Sequence, residues 1–181
     1  MEQPRVIIVM GVAGCGKSTI GTRLAAAIGG RFFDADDFHP AANIRKMAAG
    51  TPLDDTDREP WLRRLREEVV DATAAGDLTV LACSALKKSY RRTLGVGSPG
   101  VVLIYLKGEA SLLANRLAKR AGHYMPAMML ESQLATLEEP LPDEGLTFGI
   151  DSGIEEFVGA IRAAVPARSG GIRPPMPMGS Q

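Results

Sequence analysis

The chain has 181 residues, of which 45% are hydrophobic, and it contains 21 Lys and Arg against 21 Asp and Glu. This length and composition predict one globular domain, and the balanced charge argues against nucleic acid or an anionic membrane as a partner. Cys15 and Cys83 are too few and too far apart for a disulfide framework or a zinc cluster, so we expect reduced thiols in the cytoplasm. The first residues lack a basic segment before a short apolar run, so we expect no targeting segment.

Short strand-like runs alternate with helix-like stretches along the chain. The strands are predicted at residues 6–10, 31–34, 79–83, 101–106 and 146–150. The helices are predicted at residues 18–28, 40–49, 59–75, 87–94, 109–120, 127–137 and 154–165. This alternation predicts an α/β fold, a three-layer α/β/α domain with a five-stranded parallel sheet over residues 1–165. Pro60 is expected in the first turn of its helix, and residues 166–181 are expected to form a flexible tail.

The segment between the first strand and the first helix matches the phosphate-binding pattern GxxxxGK[ST]. It comprises Gly11, Val12, Ala13, Gly14, Cys15, Gly16, Lys17 and Ser18. Glycines allow the backbone to wrap phosphates, and the following helix N-terminus directs its N–H groups at their oxygens. Lys17 is expected to neutralise the β- and γ-phosphates, and the Ser18 hydroxyl to ligate Mg²⁺. The pattern therefore predicts a nucleoside triphosphate site. Cys15 could be an oxidisable thiol or a simple packing residue.

Acidic residues follow the second predicted strand, at the sheet edge where open α/β folds bind ligands. Asp34 and Asp36 are two positions apart, so in an extended chain both side chains would point the same way. We assign Asp34 to the Mg²⁺ water shell and Asp36 to the acceptor hydroxyl. The alternative is an acidic turn that caps the next helix.

Basic residues lie in or beside the segments that follow the strands. Lys87 and Arg91 share a helix face, so their repulsion predicts an anion between them. Arg116 and Arg120 share a face of a later helix, which predicts a lid over about residues 116–137 that closes on the triphosphate. Each of these residues could instead be a solvated charge or a helix-end charge. The further candidate cations are Arg45, Lys46 and Arg58.

A nucleotide site fits a small-molecule or nucleotide kinase, a GTPase switch or an ATP-binding regulator. The GTPase motifs DxxG and NKxD are absent from the sequence, which argues against the Ras type of switch. A kinase needs a group that orients the acceptor hydroxyl and cations for the developing charge, and both have candidates here. We therefore favour a kinase, with a shikimate-type or nucleoside monophosphate kinase and a non-catalytic regulator as alternatives.

Several stretches together resemble the gluconate kinase family, within the wider shikimate and adenylate kinase group of P-loop NTPases. They are MGVAGCGKST, DADDFHPAANIRKMAAGTPLDDTDREPWL, ACSALKKSYR, IYLKG and RLAKRAGHYM, spread over residues 6 to about 140. The resemblance implies a nucleoside monophosphate kinase-like fold with a helical lid, ATP-dependent phosphorylation of D-gluconate at its 6-hydroxyl, and a homodimer.

The same resemblance assigns roles to individual residues. It implies that nucleotide binding extends over Gly11 to Thr19, that Asp36 receives the acceptor hydroxyl, and that Arg116 and Arg120 act from the lid. With Lys17 and Asp36, Arg120 is expected to take part in catalysis. Ser84 stands where a Walker-B aspartate is common, so metal support is expected from Asp34. The implied gluconate contacts are Asp36, His39, Arg45, Arg58, Lys87 and Arg91.

Overall fold

The structure is a computed structural model that describes residues 5–119 and 126–151, together with residues 155, 158, 159 and 163. Its strands are β1 (Val6–Met10), β2 (Arg31–Asp34), β3 (Thr79–Ala82), β4 (Val101–Lys107) and β5 (Leu146–Gly149). All neighbouring strands pair in parallel, in the order β2-β3-β1-β4-β5. The predicted five-stranded parallel sheet is therefore confirmed, with each strand within one residue of its predicted ends.

Helices connect the strands, as parallel pairing requires. They are α1 (Lys17–Ile28), α2 (Ala41–Ala48), α3 (Asp55–Leu65), α4 (Lys88–Thr93), α5 (Ala110–Ala118) and α6 (Pro126–Thr136). A 3₁₀ turn, Ala35–Phe38, follows β2, and a π-helical segment, Arg66–Asp71, continues α3. In the part of the chain that the structure describes, no helix is long and apolar enough to cross a membrane. The helix predicted at 154–165, apart from four isolated positions, and the tail at 166–181 lie outside the described residues.

The central strand β1 separates two apolar clusters because successive side chains point to opposite faces of a sheet. Ile7 and Val9 pack with α1, α5 and α6 on one face. Ile8 and Met10 pack on the other face with residues of α3 and α4, among them Trp61. All five residues of β1 are buried, whereas the edge strands β2 and β5 are half exposed. Both faces of the sheet centre are thus fully covered.

Helix α3 begins four residues earlier than predicted. The Asp54 carboxylate accepts the Asp57 N–H, and the Asp57 carboxylate accepts the Asp54 N–H, which forms a reciprocal capping box. Pro60 consequently lies inside the helix, so its predicted place in the first turn is wrong. The capping box fixes the start of α3, because it provides hydrogen-bond acceptors for two N–H groups that would otherwise be unpaired at the helix end.

A buried ion pair fixes the loop between α6 and β5. The Arg91 guanidinium, with a side chain only 1% exposed, donates to both carboxylate oxygens of Glu144 at 3.1 and 3.2 Å. The same guanidinium donates to the backbone carbonyls of Leu86 and Glu138. Arg91 holds the pKa of the Glu144 carboxyl below its usual range. These contacts join the loop after β3 to the segment that leads into β5.

We expect Glu144→Ala to lower the free energy of unfolding by about 3–5 kcal/mol, because it leaves a buried guanidinium without its counter-charge. Urea denaturation at neutral pH measures the loss. The matched control is Glu59→Ala, which removes an exposed i,i+4 pair with Arg63 and should cost less than about 1 kcal/mol. Equal losses in the two variants would contradict the structural role of the Arg91–Glu144 pair.

Candidate active site

The predicted phosphate loop connects β1 to the N-terminus of α1. Gly11, Gly14 and Gly16 have φ angles of 149°, 83° and 96°, in the range that favours glycine. Gly11 is also closely packed, because a Cβ there would lie 2.7 Å from Cys15 Sγ and 2.9 Å from the Leu106 carbonyl oxygen. The sequence therefore needs glycine here both for the backbone angle and for the close approach.

Lys17 and Ser18, at the junction of the loop and α1, each donate a hydrogen bond within the protein at the place where a nucleotide is expected to bind. Lys17 Nζ donates to the Val12 carbonyl at 3.1 Å, which folds the ammonium over the loop. Ser18 Oγ donates to Asp34 Oδ2 at 2.6 Å. This contact joins the first-helix serine to the end of β2 and brings together the two residues predicted as Mg²⁺ ligands.

The donor set fits Mg²⁺. A hydroxyl and a carboxylate are hard oxygen ligands, and Mg²⁺ in phosphate sites keeps most of its shell as water and phosphate oxygens. Within residues 5–119 and 126–151, no group of three His, Cys, Asp or Glu could hold a metal ion by itself. A site of this kind therefore depends on Ser18, Asp34 and a bound triphosphate together.

Asp36 lies close to Asp34, but the predicted extended arrangement is wrong. The chain turns into the 3₁₀ segment directly after β2, where the Asp34 carboxylate accepts the Asp36 N–H at 3.1 Å. The two carboxylates therefore do not project side by side from a strand. Asp34 acts as the cap of the turn, so the alternative of an acidic turn is correct for its geometry.

The pKa of the Asp36 carboxyl is raised above its usual value. Desolvation is the largest cause, followed by repulsion from Asp34 and Asp37, while the Lys17 and Arg58 charges act in the opposite direction. The Asp36 side chain is nevertheless 87% exposed, so the repulsion from its acidic neighbours is the firmer of the two causes. A carboxylate of raised pKa and open access is suited to accept a proton from a hydroxyl.

His39 is a buried, neutral neighbour of Asp36. Its ring stacks on Trp61 with centroids 4.3 Å apart, and burial together with the Arg58 charge lowers its pKa to about 4. Asn43 Nδ2 lies 3.5 Å from His39 Nδ1 and can only donate there, which favours the tautomer with the ring proton on Nε2. Nε2 is 3.8 Å from Asp36 Oδ1. His39 therefore presents an uncharged N–H donor beside the carboxylate.

Three charged side chains meet around Tyr90 on the wall formed by α3 and α4. Lys87 Nζ donates to both oxygens of Asp55 at 2.7 and 2.8 Å, and the Tyr90 hydroxyl donates to the same carboxylate. Arg58 lies over the Tyr90 ring, 5.9 Å from its centroid, and its Nε donates to the Leu53 carbonyl. Lys87 and then Tyr90 hold the pKa of Asp55 below its usual value. This wall carries two cations and one internal carboxylate.

The expectation of an anion between Lys87 and Arg91 does not hold in this structure. Lys87 is the residue before α4 and pairs with Asp55, while Arg91 is turned into the protein and pairs with Glu144. The repulsion on which the expectation rested is relieved by carboxylates of the chain itself. In this structure the Arg91 side chain therefore points into the interior and not into the cleft, so the prediction that Arg91 contacts gluconate does not fit its position.

Arg45, another predicted gluconate contact, is exposed on α2.

Arg116 is the one predicted lid arginine among the described residues. It lies on α5, and its Nη2 donates to the Ile150 carbonyl at 2.7 Å. Arg120 lies outside the described residues, as does most of the segment between α5 and α6. An open pocket of about 290 Å³ adjoins the carboxyl ends of β4 and β5. Its lining is Lys107, Gly108, Glu109, Leu112, Thr147, Gly149, Ile150 and Asp151.

The side chain of Cys15, within the phosphate loop, is fully buried. Burial raises the pKa of its thiol and outweighs the opposing effect of Lys17. Of the two interpretations offered by the sequence, a packing residue fits this environment and an activated thiol does not.

Sequence reasoning missed several partners of the predicted residues. Asp55, the counter-charge of Lys87, comes from a segment 32 positions away. Glu144, the partner of Arg91, is 53 positions away. Such pairs cannot be predicted from a local sequence pattern. Trp61 belongs to one of the stretches that resemble the gluconate kinase family, but its stacking on His39 can be recognised only in the folded structure.

Comparison with known proteins places this geometry in a family. The family model described as Shikimate kinase matches residues 13–146. A probable gluconokinase of Xenopus tropicalis is 41% identical over 176 residues, which cover 88% of this chain and 93% of the relative. The gluconokinase of Gluconobacter oxydans is 46% identical over 142 residues, which cover 78% and 80% of the two chains.

Solved structures agree with the sequence relatives. A gluconokinase from Sinorhizobium meliloti superposes with a TM-score of 0.79 at 40% identity, covering 91% of this chain and 93% of the other. A shikimate kinase from Bacteroides thetaiotaomicron superposes with a TM-score of 0.62 at 17% identity over 88% of this chain and 97% of the other, which is a likeness of fold alone. With a parallel sheet, a phosphate loop and relatives above 40% identity over most of its length, the chain belongs to the gluconokinase family of P-loop kinases.

Proposed function

We propose that the chain transfers the γ-phosphoryl group of MgATP to the 6-hydroxyl of D-gluconate and releases 6-phosphogluconate and ADP. The observation that carries the proposal is the link from Ser18 to Asp34 and from Asp34 to Asp36, which sets an acceptor-side carboxylate beside the phosphate loop. The gluconokinase relatives support gluconate as the acceptor.

In the proposed reaction, Asp36 accepts the proton of the acceptor hydroxyl as its oxygen attacks the γ-phosphorus. The bond from the γ-phosphorus to the bridging oxygen breaks, and ADP leaves with that oxygen. Lys17 exchanges the Val12 carbonyl for phosphate oxygens and neutralises charge there. Mg²⁺, held through Ser18 and Asp34 when bound, supplies further charge neutralisation on the phosphates.

The acceptor's carboxylate and hydroxyls would contact the wall beside Asp36. The neutral His39 offers an N–H to a hydroxyl, and Arg58 offers charge near both Asp36 and His39. Lys87 would bind the acceptor by exchanging Asp55 for the acceptor's carboxylate. Arg45, exposed on α2, would complete the acceptor site if α2 approaches the cleft on binding.

The nucleotide base would occupy the pocket beside Gly108 and Asp151, which adjoins the α5 residue Arg116 through Ile150. Arg116 and Arg120 would act as the cations of a closing lid, which excludes water during transfer. The homodimer that the resemblance implies and the cytoplasmic location that the cysteine content predicts stay predictions.

An assay of coupled ADP release across gluconate, shikimate and AMP tests the function. We expect release with gluconate alone, and no detectable release from Lys17→Ala, because the loop then lacks its charge for the γ-phosphate. ADP release with shikimate or AMP and not with gluconate would overturn the assignment of gluconate as the acceptor. If ATP binds but none of the three acceptors gives ADP release, the result would favour a non-catalytic regulator.

Asp36→Asn should lower kcat by about 10²–10⁴-fold with ATP affinity largely kept, because the amide cannot accept the hydroxyl proton. Steady-state kinetics with gluconate, together with calorimetric titration of a non-hydrolysable ATP analogue, separates the two effects. The matched control is Asp37→Asn, a neighbouring exposed carboxylate, which should keep near-normal kcat at neutral pH. Normal turnover by Asp36→Asn would refute its role.

The acid limb of kcat/KM should move when Asp37 is neutralised. Asp36 must be ionised to act, so activity falls as pH falls through its raised pKa. Because repulsion from Asp37 contributes to that raised value, Asp37→Asn should shift the limb to lower pH. Profiles of both proteins under the same conditions measure the shift, and titration of the substrates cancels in the comparison.

His39 also titrates in the acid range, with a pKa of about 4, but its lowered value comes from burial and Arg58 and not from Asp37. A limb that stays in place in Asp37→Asn would therefore show that Asp36 is not the group whose ionisation controls the rate.

A further inference from the structure

A side chain of α6 accepts a hydrogen bond from one backbone N–H group of the phosphate loop. The Ala13 N–H donates to Gln133 Oε1 at 2.6 Å, across 120 positions of sequence. Ala13 lies in the middle of the loop, between residues whose backbone encloses the phosphates. Lys17, the residue expected to bind the β- and γ-phosphates, donates to the carbonyl of Val12, directly before Ala13. Gln133 therefore reaches the part of the loop where the terminal phosphate is expected.

The position of Gln133 is set by packing. Leu130, three residues earlier on α6, is buried in the cluster beside β1, and Leu134 packs against the same cluster. From the other side, α5 abuts the loop, because a Cβ at Gly14 would lie 3.0 Å from Leu117 Cγ. Helix α5, which leads into the predicted lid segment, and α6, which lies within it, thus both contact the phosphate loop, and Gln133 is held there by the core.

The hydrogen bond also fixes which end of the Gln133 carboxamide faces Ala13. A backbone N–H can only donate, so Oε1 is the acceptor and Nε2 keeps two N–H donors beside the loop. In residues 5–119 and 126–151, no protein acceptor takes these protons. The side chain is half buried, so its donors are partly withdrawn from water.

We propose that Gln133 is a further catalytic residue, whose Oε1 holds the tip of the phosphate loop and whose Nε2 donates to an oxygen of the transferred γ-phosphoryl group. The negative charge on those oxygens favours a donor fixed in advance, since no reorganisation is needed when the phosphoryl group moves. A neutral carboxamide can serve both partners at once, whereas a carboxylate can serve only the Ala13 N–H. The proposal rests on triphosphate binding at the loop and not on the identity of the acceptor.

Two substitutions separate the two ends of the carboxamide. Gln133→Glu keeps an acceptor for the Ala13 N–H and replaces the donors by a negative charge, while Gln133→Met keeps the length and removes both functions. The control is Glu131→Gln, an exposed position on the same helix. We expect kcat to fall about 10²-fold or more in Gln133→Glu and about 10-fold or more in Gln133→Met, with the KM for gluconate changed less than about threefold.

Binding of ADP and of a non-hydrolysable ATP analogue gives a readout that needs no acceptor. Gln133→Glu should weaken binding of the analogue at least tenfold while ADP, which lacks the γ-phosphate, binds as in the unmodified protein. Thermal melting checks that both variants fold. If Gln133→Glu keeps kcat and analogue affinity while Gln133→Met loses them, Gln133 is a tether only and the proposal is overturned. Unchanged kinetics in both variants would overturn it as well.

Discussion

The close approach of the phosphate loop to its surroundings is the constraint on which the rest of the site depends. Gly11 lies against the end of β4, with too little space for a side chain, and Gly14 lies in tight contact with α5. The loop is therefore held by the sheet on one side and by a helix on the other. Lys17, Ser18 and the Ala13 N–H take their directions from this fixed backbone, and through Ser18 the loop also determines where Asp34 lies.

Much of the fold could be predicted because its signals are local. A buried strand such as β1 reads as a continuous apolar run, and GxxxxGK[ST] marks the strand-loop-helix unit that follows it. The start of α3 was missed because two signals competed. Pro60 is typical of a first helical turn, yet the reciprocal hydrogen bonds of Asp54 and Asp57 stabilise a start farther upstream.

The candidate site was predictable in its residue types and less so in its pairings. Lys87 and Arg91 are four positions apart, and the sequence alone could not reveal that Asp55 and Glu144 neutralise them separately. Such contacts join distant segments and are decided by the packing of α3, α4 and the loop before β5. The raised pKa of Asp36 has the same origin, since it depends on partial desolvation and on the charges that the fold brings near this carboxylate.

The burial of Cys15 affects how this kinase responds to oxidants. Peroxides and alkylating reagents attack thiolates, and a thiol of raised pKa beneath the loop is scarcely ionised at neutral pH. A cysteine in the middle of a phosphate-binding motif therefore leaves the motif chemically stable. Inactivation by such reagents would have to begin with opening of the loop, so nucleotide bound to the loop should slow it further.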